Sequence, residues 1–321
     1  MIRVTIAMST YNGQEFLKEQ LDSIVQQTIL DNPEVSVTFL VRDDGSSDNT
    51  LAILNEYAGK HPRLLWNIIS GKNIGWKKSF IALMEAVSSD FVFLCDQDDI
   101  WNLNKCQVML DTMQSNPQIE VLMHRIEYYY TSDVGVKKIL NDSYEKLGIS
   151  KNDGEIEKVP QAAHFSHHPF LGCCFLFTDT IRQEFLKVQS HRDNSIAHDV
   201  GLFILGSARN STYYLNRQLI KYRQHSSNAT SVQKTPSIIQ QAKNQKKTTK
   251  IFYENLMTVL TSIQELTSNS SIKTDARQMY LRIEKEYKAL IHRRGLQFTK
   301  LKRGEFGFNK LMLIDILVAL I

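Results

Sequence analysis

The stretch Phe91-Val92-Phe93-Leu94-Cys95-Asp96-Gln97-Asp98-Asp99-Ile100-Trp101 constrains this chain most, because five apolar residues run directly into three carboxylates. A short apolar run rich in aromatic and β-branched residues reads as a buried strand rather than a helix. Asp96, Asp98 and Asp99 repel one another if all are ionised and unpaired, so the strand end needs compensation. One solution is a divalent cation. Carboxylates suit Mg²⁺ or Mn²⁺, and Asp96 and Asp98 can share one ion where the chain turns. The other is a polar turn in which Asp99 caps a helix over Trp101–Met113.

The same strand-then-polar-turn pattern recurs upstream. Arg3–Met8 reads as a strand ending in Ser9-Thr10-Tyr11-Asn12-Gly13, followed by helical spacing over Glu15–Gln27. Val35–Val41 ends in Arg42-Asp43-Asp44-Gly45-Ser46-Ser47-Asp48, and a helix follows to Ala58. Leu64–Ile69, a loop over Ser70–Gly75 and a helix over Trp76–Val87 complete the series. Strand–helix alternation predicts a parallel, doubly wound α/β sheet, in which ligands bind beyond the carboxyl ends of the strands. Three of the four strand ends, at Ser9–Asn12, Asp43–Asp44 and Asp96–Asp99, carry polar chemistry, and their convergence predicts a site. No G-x-G-x-x-G follows the first strand, and neither a P-loop nor a G-x-S-x-G elbow occurs. Dehydrogenase, P-loop phosphotransferase and serine hydrolase readings drop out. A nucleotide-sized cleft with carboxylates remains.

Taken in order, Ser9-Thr10-Tyr11-Asn12, Asp43-Asp44-Gly45-Ser46-Ser47-Asp48, Asn73-Ile74-Gly75 and Asp96-Gln97-Asp98-Asp99-Ile100-Trp101 resemble the inverting family-2 glycosyltransferases of the GT-A fold. The Gln97 and Ile100-Trp101 variants resemble the bacterial rhamnosyltransferase-like branch. The resemblance implies a Rossmann-like, mostly parallel sheet flanked by helices. Ser9, Thr10 and Tyr11 would line the nucleoside pocket, with Tyr11 stacking on the base, and Asp44 would accept the N3–H of uracil or thymine. Asp43 would support Asp44 or the ribose. Gly75 would let the backbone approach the donor and Lys77 would contact phosphate. Gln97 and Asp99 join the donor contacts. Asp96 and Asp98 would hold Mn²⁺ or Mg²⁺, or the sugar. Each has a plainer reading as a turn, cap or packing residue.

In the second half, Ile196-Ala197-His198-Asp199-Val200-Gly201-Leu202 resembles the family segment that supplies the general base, with Val200-Gly201 where two aromatics often stand. Asp199 is the candidate base, or else the N-cap of a helix over Val200–Leu205. His198 and Trp101 fall on the acceptor side. Lys221–Asn228 resembles the motif closing the catalytic domain. There Arg223 and His225 would reach the diphosphate and His225 would complete the metal shell, or the segment is a solvated loop. His167 and His168 read as surface or acceptor-pocket groups. The expected division is a catalytic domain over 1–230, with a nucleotide-sugar half over 1–118 and an acceptor half over 119–230, then a basic helical extension over 231–321.

Charge separates these parts. Residues 231–321 hold 16 Lys and Arg against 7 Asp and Glu, a net of +9, and the rest of the chain carries −5. An anionic partner is expected for the tail, and the apolar run from Leu311 suits an interfacial anchor or, equally, a helix packed on the body or on a second subunit. The run is too short to span a bilayer. The four cysteines have no zinc-site spacing and read as reduced core residues of a cytoplasmic protein. The sequence therefore predicts hexosyl transfer, best rhamnose from dTDP-rhamnose and otherwise a hexose from a UDP-sugar, onto a lipid-linked or polysaccharide acceptor at the inner face of the cell membrane. Two other classes stay open: a non-catalytic sugar-nucleotide or polysaccharide-binding module, and a nucleotidyltransferase. Against the latter, Gly13 is the lone glycine among Ser9–Gln20, where a glycine-rich basic loop would be needed.

Overall fold

The computed structural model describes residues 1–131, 152–159, 171–191, 196–225 and 238–291. The two central strands, β1 (Ile2–Thr10) and β4 (Phe91–Cys95), are buried along almost their whole length, as parallel strands covered on both faces must be. β2 (Val35–Asp43) lies beside β1 and β3 (Leu65–Ser70) forms the sheet edge. Their pairings are all parallel, with Thr10 opposite Asp43 and Met8 opposite Cys95. The polar turns after β1, β2 and β4 are thereby brought side by side.

The sheet continues without a break into the second half. Along it the order is β3-β2-β1-β4-β8-β6-β9-β5, where β5 is Ile100–Trp101, β6 Val121–Tyr130, β8 Phe175–Thr178 and β9 Thr212–Gln224; β7 (Ile156–Lys158) also pairs with β9. β8 is antiparallel to both β4 and β6, whereas β6 and β9 are parallel to each other. β6 and β9 therefore run in the same direction as β1, β2 and β4. Their carboxyl ends, and the turn Gly172–Cys174 that opens β8, meet the acid motif on one side of the sheet.

Helices α1 (Leu17–Val25), α2 (Thr50–Lys60), α3 (Trp76–Ala86) and α4 (Lys105–Ser115) alternate with the first strands as the periodicity predicts. α5 (Asp179–His191) and α6 (His198–Ala208) pack together and against α3. Gly201 is why: a Cβ there would run into the Phe185 ring of α5. Gly201 thus marks a close helix crossing.

The expected helix over Trp101–Met113 starts four residues later. Ile100 and Trp101 instead pair with Lys221 and Ile220 of β9, and the Asn102 side chain donates to the Gln218 carbonyl. Asp99 is therefore not a helix cap. The two C-terminal helices, α7 (Ile238–Leu266) and α8 (Ser270–Ile291), lie on α5 and α6. Tyr253, Leu256, Val259 and Leu260 are buried, with Ala276, Met279 and Ile283 from α8. Tyr253 and Tyr287 donate reciprocally to Glu286 and Glu254, both at 2.7 Å. This part of the basic extension is a packed layer of the body. The apolar run from Leu311, His167-His168 and Ser226–Asn228 lie outside the described residues, as do the side chains of Lys243, Lys246 and Lys247.

Candidate active site at the strand ends

The turn after β1 is locked to the turn after β2. Thr10 Oγ1 and Ser46 Oγ both donate to Asp43 Oδ1, and the Ser46 N–H donates to Oδ2. Asn12, at φ 47°, donates from its backbone to Ser46 Oγ and accepts from the Ser47 N–H. Asn is among the few residues that tolerate that conformation. Asp43 is thus a buried knot between two loops, while Tyr11, 47% exposed, projects from the first.

Asp44 organises the third loop. Its Oδ1 accepts from the Ile74 N–H and from Arg42 Nη1, and its Oδ2 from the Gly75 N–H at 2.8 Å. Gly75 has φ +82°, which any side chain would resist, and nothing lies within 4 Å of where its Cβ would stand. Ser79 bridges Ser9 and Arg42, so Ser9 shares this buried network. Lys77 holds its ammonium 5.6 Å from the Trp76 ring. Gln97 clamps the first loop from the acid motif. It accepts from the Tyr11 N–H and donates to the Tyr11 carbonyl.

The acid motif splits in two. Asp96 and Asp98 are partly exposed at the cleft; Asp99 is fully buried. Asp98 Oδ2 lies 2.8 Å from His225 Nε2. Asp99 accepts the Arg223 N–H at 3.0 Å. Burial, reinforced by the charges of Asp98 and then Asp199, pushes Asp96 up to about 7. Burial, with Asp98 and Asp96, raises Asp99 well above the usual carboxylate range. Asp99 therefore belongs to the floor and not to the donor contacts. Arg223 is likewise 3% exposed, bonded to the Asp98 carbonyl and Glu19 and stacked on Phe16 and Tyr129. It positions the motif and does not face the cleft. Trp101, 2% exposed, packs on Phe93 in the core and not on the acceptor side.

On the far side stands the amino end of α6. Its N-cap is Ala197, not Asp199. Asp199 sits in the first turn, partly exposed, with Oδ1 accepting the Val200 N–H at 2.8 Å. His198 turns inward: it is 4% exposed and stacks on Phe80 at 4.2 Å. A Cβ on Gly172 would lie 2.5 Å from its Nε2.

Asp96, Asp98 and His225 offer hard oxygen donors and one imidazole at a crowded acidic strand end, a donor set that fits Mn²⁺ or Mg²⁺. Among the described residues, the ligand atoms that gather within 4.8 Å of one another are those of Asp96, Asp99 and Cys173. We read that second group otherwise. The Cys173 thiol, hydrogen-bonded to Cys174 and buried, is held well above its usual range, so it stays protonated beside the two acids. Lys105 was missed from the sequence. Fully buried, it donates to the Cys173 carbonyl at 2.6 Å, lies 3.5 Å from the Trp101 ring centroid and partly offsets the acid cluster. Its signal was its spacing, four residues before buried Met109 on the inward face of α4.

A mostly parallel sheet with a carboxylate cluster beyond its strand ends is the architecture of a glycosyltransferase of the GT-A fold. Residues 1–349 of S. aureus TarS, solved in complex with UDP-GlcNAc, superpose with a TM-score of 0.56 at 15% identity, over 94% of this chain and 79% of that one. The mannosyltransferase PcManGT from Pyrobaculum calidifontis, solved with GDP-Man and Mn²⁺, gives a TM-score of 0.50 at 16% identity, over 99% and 87% of the two chains. The chain belongs to glycosyl transferase family 2, whose sequence profile matches residues 5–179. The dTDP-rhamnosyl transferase RfbG of Shigella flexneri is 28% identical over 231 residues, 69% of this chain and 72% of that protein. Mycobacterial relatives are matched over only 36% of their length.

Proposed function

We propose that the protein transfers a sugar, with inversion, from a nucleotide donor to a hydroxyl of a lipid-linked or polysaccharide acceptor in bacterial surface polysaccharide synthesis. The observation that carries this reading is the family-2 match over residues 5–179 on a sheet that brings the Tyr11, Asp43–Ser46 and Asp96–Asp99 turns side by side at its strand ends. A nucleotide donor is supported by the ligands named for TarS and PcManGT, and a dTDP-rhamnose donor by the name of RfbG.

Asp44 fixes the Ile74–Gly75 edge, and its Oδ2, which accepts two hydrogen bonds at most, has room for one more donor in the N3–H of uracil or thymine. Tyr11 supplies a stacking face, and Lys77 leaves its ring for the diphosphate. Asp96, Asp98 and His225 would hold Mn²⁺ or Mg²⁺, and such an ion would supply Lewis-acid compensation for negative charge on a diphosphate. Asp199 accepts the proton of the acceptor hydroxyl as that oxygen bonds the anomeric carbon from the face opposite the leaving group. The bond to the diphosphate breaks and its electron pair leaves with the nucleotide. No helix among the described residues is long and apolar enough to cross a membrane. The basic extension would attach peripherally at the cytoplasmic face to meet a lipid-linked acceptor.

The test is a nucleotide-sugar panel with and without chelator. We expect uridine or thymidine diphosphate sugars to be turned over, and chelator to weaken both binding and turnover. Asp199→Asn should bind donor normally with turnover lowered by roughly 10²–10⁴. Binding without turnover by the parent protein would favour the non-catalytic module. Near-normal turnover in Asp199→Asn would place the base elsewhere.

A further inference from the structure

Three tryptophans occur in the chain, and two are built into the fold. Trp101 is core, and Trp66 stacks on Phe39 at 4.7 Å with its indole nitrogen buried. Trp76 differs. It opens α3 directly after the Gly75 loop and leaves 45% of its surface in solvent. Yet it is not a loosely held surface residue. Its ring meets His198 edge to face at 5.8 Å, and His198 is itself fixed between Phe80 and the side-chain-free Gly172. The neighbouring Lys77 ammonium sits 5.6 Å from the indole and is a mobile cover on a four-carbon stem.

A large exposed aromatic whose orientation is set from beneath offers a fixed ring face that a ligand can cover. Its location says which. On one side, Gly75 is hydrogen-bonded to Asp44; on the other, His198 adjoins Asp199. Resting on the function proposed above, we infer that Trp76 is a platform for the acceptor sugar. The electron-rich face of an indole matches the ring face of a neutral pyranose, where axial C–H bonds form a small apolar surface. Seated there, a pyranose would lie beside the amino end of α6, which carries Asp199, and its ring would be held without using any group of the acid cluster. Neither composition nor motif spacing marked Trp76, because a tryptophan at a helix start reads as ordinary packing.

The full-length protein, loaded with uridine or thymidine diphosphate, can be titrated with methyl glucopyranoside, methyl rhamnopyranoside and N-acetylglucosamine. Tryptophan emission reports whether Trp76 itself is touched, and saturation-transfer NMR on the sugar protons gives affinity independently. We expect a saturable emission change with at least one pyranoside. Trp76→Ala should weaken its binding roughly fivefold or more and Trp76→Phe by less, the scale of one aromatic contact. Nucleotide affinity should be unchanged in both variants, which certifies a folded site. Silent emission across the panel, or unchanged pyranoside affinity in Trp76→Ala, overturns the platform. Failure of the parent protein to bind any nucleotide sinks the transferase reading instead.

Discussion

Asp96 carries the sharpest residue-scale consequence. Its carboxyl keeps its proton up to about pH 7 in the folded chain, against about 4 when unfolded. Between those values the folded state binds more protons, so this group lowers stability as pH rises, with its full penalty above 7. Without metal, Asp96→Asn should therefore be the more stable protein at pH 8, by about 1–2 kcal/mol after discounting for its partial exposure. The gain should shrink towards pH 4. Denaturant melts in chelator across that range check both size and sign. Asp44→Ala should weaken nucleotide diphosphate binding by on the order of 1–3 kcal/mol, read by calorimetry, because it unpairs the Ile74 and Gly75 amides as well as the base edge. The sequence showed that Asp44 and Asp96 sit at strand ends. It could not show that Asp44 holds a loop, or that Asp99 turns inward, because neighbouring acids look alike until strand pairing assigns each a direction. Trp101 misled for the same reason: its pairing with Ile220 sets it against Phe93 and Lys105 in the core.

At the scale of elements, periodicity located the first four strands and their helices closely, since each alternates between two well-separated repeats. It failed where tertiary pairing overrides local pattern. β5 is two residues long and exists because β9 is there to receive it. The helices α7 and α8 were legible as helices, but nothing in their sequence says which surface they cover. The structure seats them on α5 and α6, so the described part of the extension is integral to the body. Leu260, fully buried in that layer, should cost about 2–5 kcal/mol when cut to alanine. Thermal or denaturant melts will show it, while nucleotide affinity should stay at the parent value, because the layer lies behind the helices that carry the site.

Across the whole molecule, charge and sheet pull towards different ends. Along the chain the charge divides at residue 231, with a net of +9 from there onward against −5 before it. Co-sedimentation with anionic vesicles should rise at low salt and fall as salt screens the lysines, with neutral vesicles binding far less. Equal partition to both kinds would remove charge as the cause. The sheet has a different reach. Its late strand β9 delivers the Arg223 amide to Asp99 and the His225 imidazole to Asp98, partners 124 and 127 positions away. Contacts of that span close slowly and late. During synthesis, the four parallel strands around β1 and β4 can assemble while the acid motif still lacks these partners. Only when residue 225 clears the ribosome is the motif tied down, so an unfinished or prematurely ended chain would hold a nucleotide fold without a working centre, and could not spend scarce activated sugar.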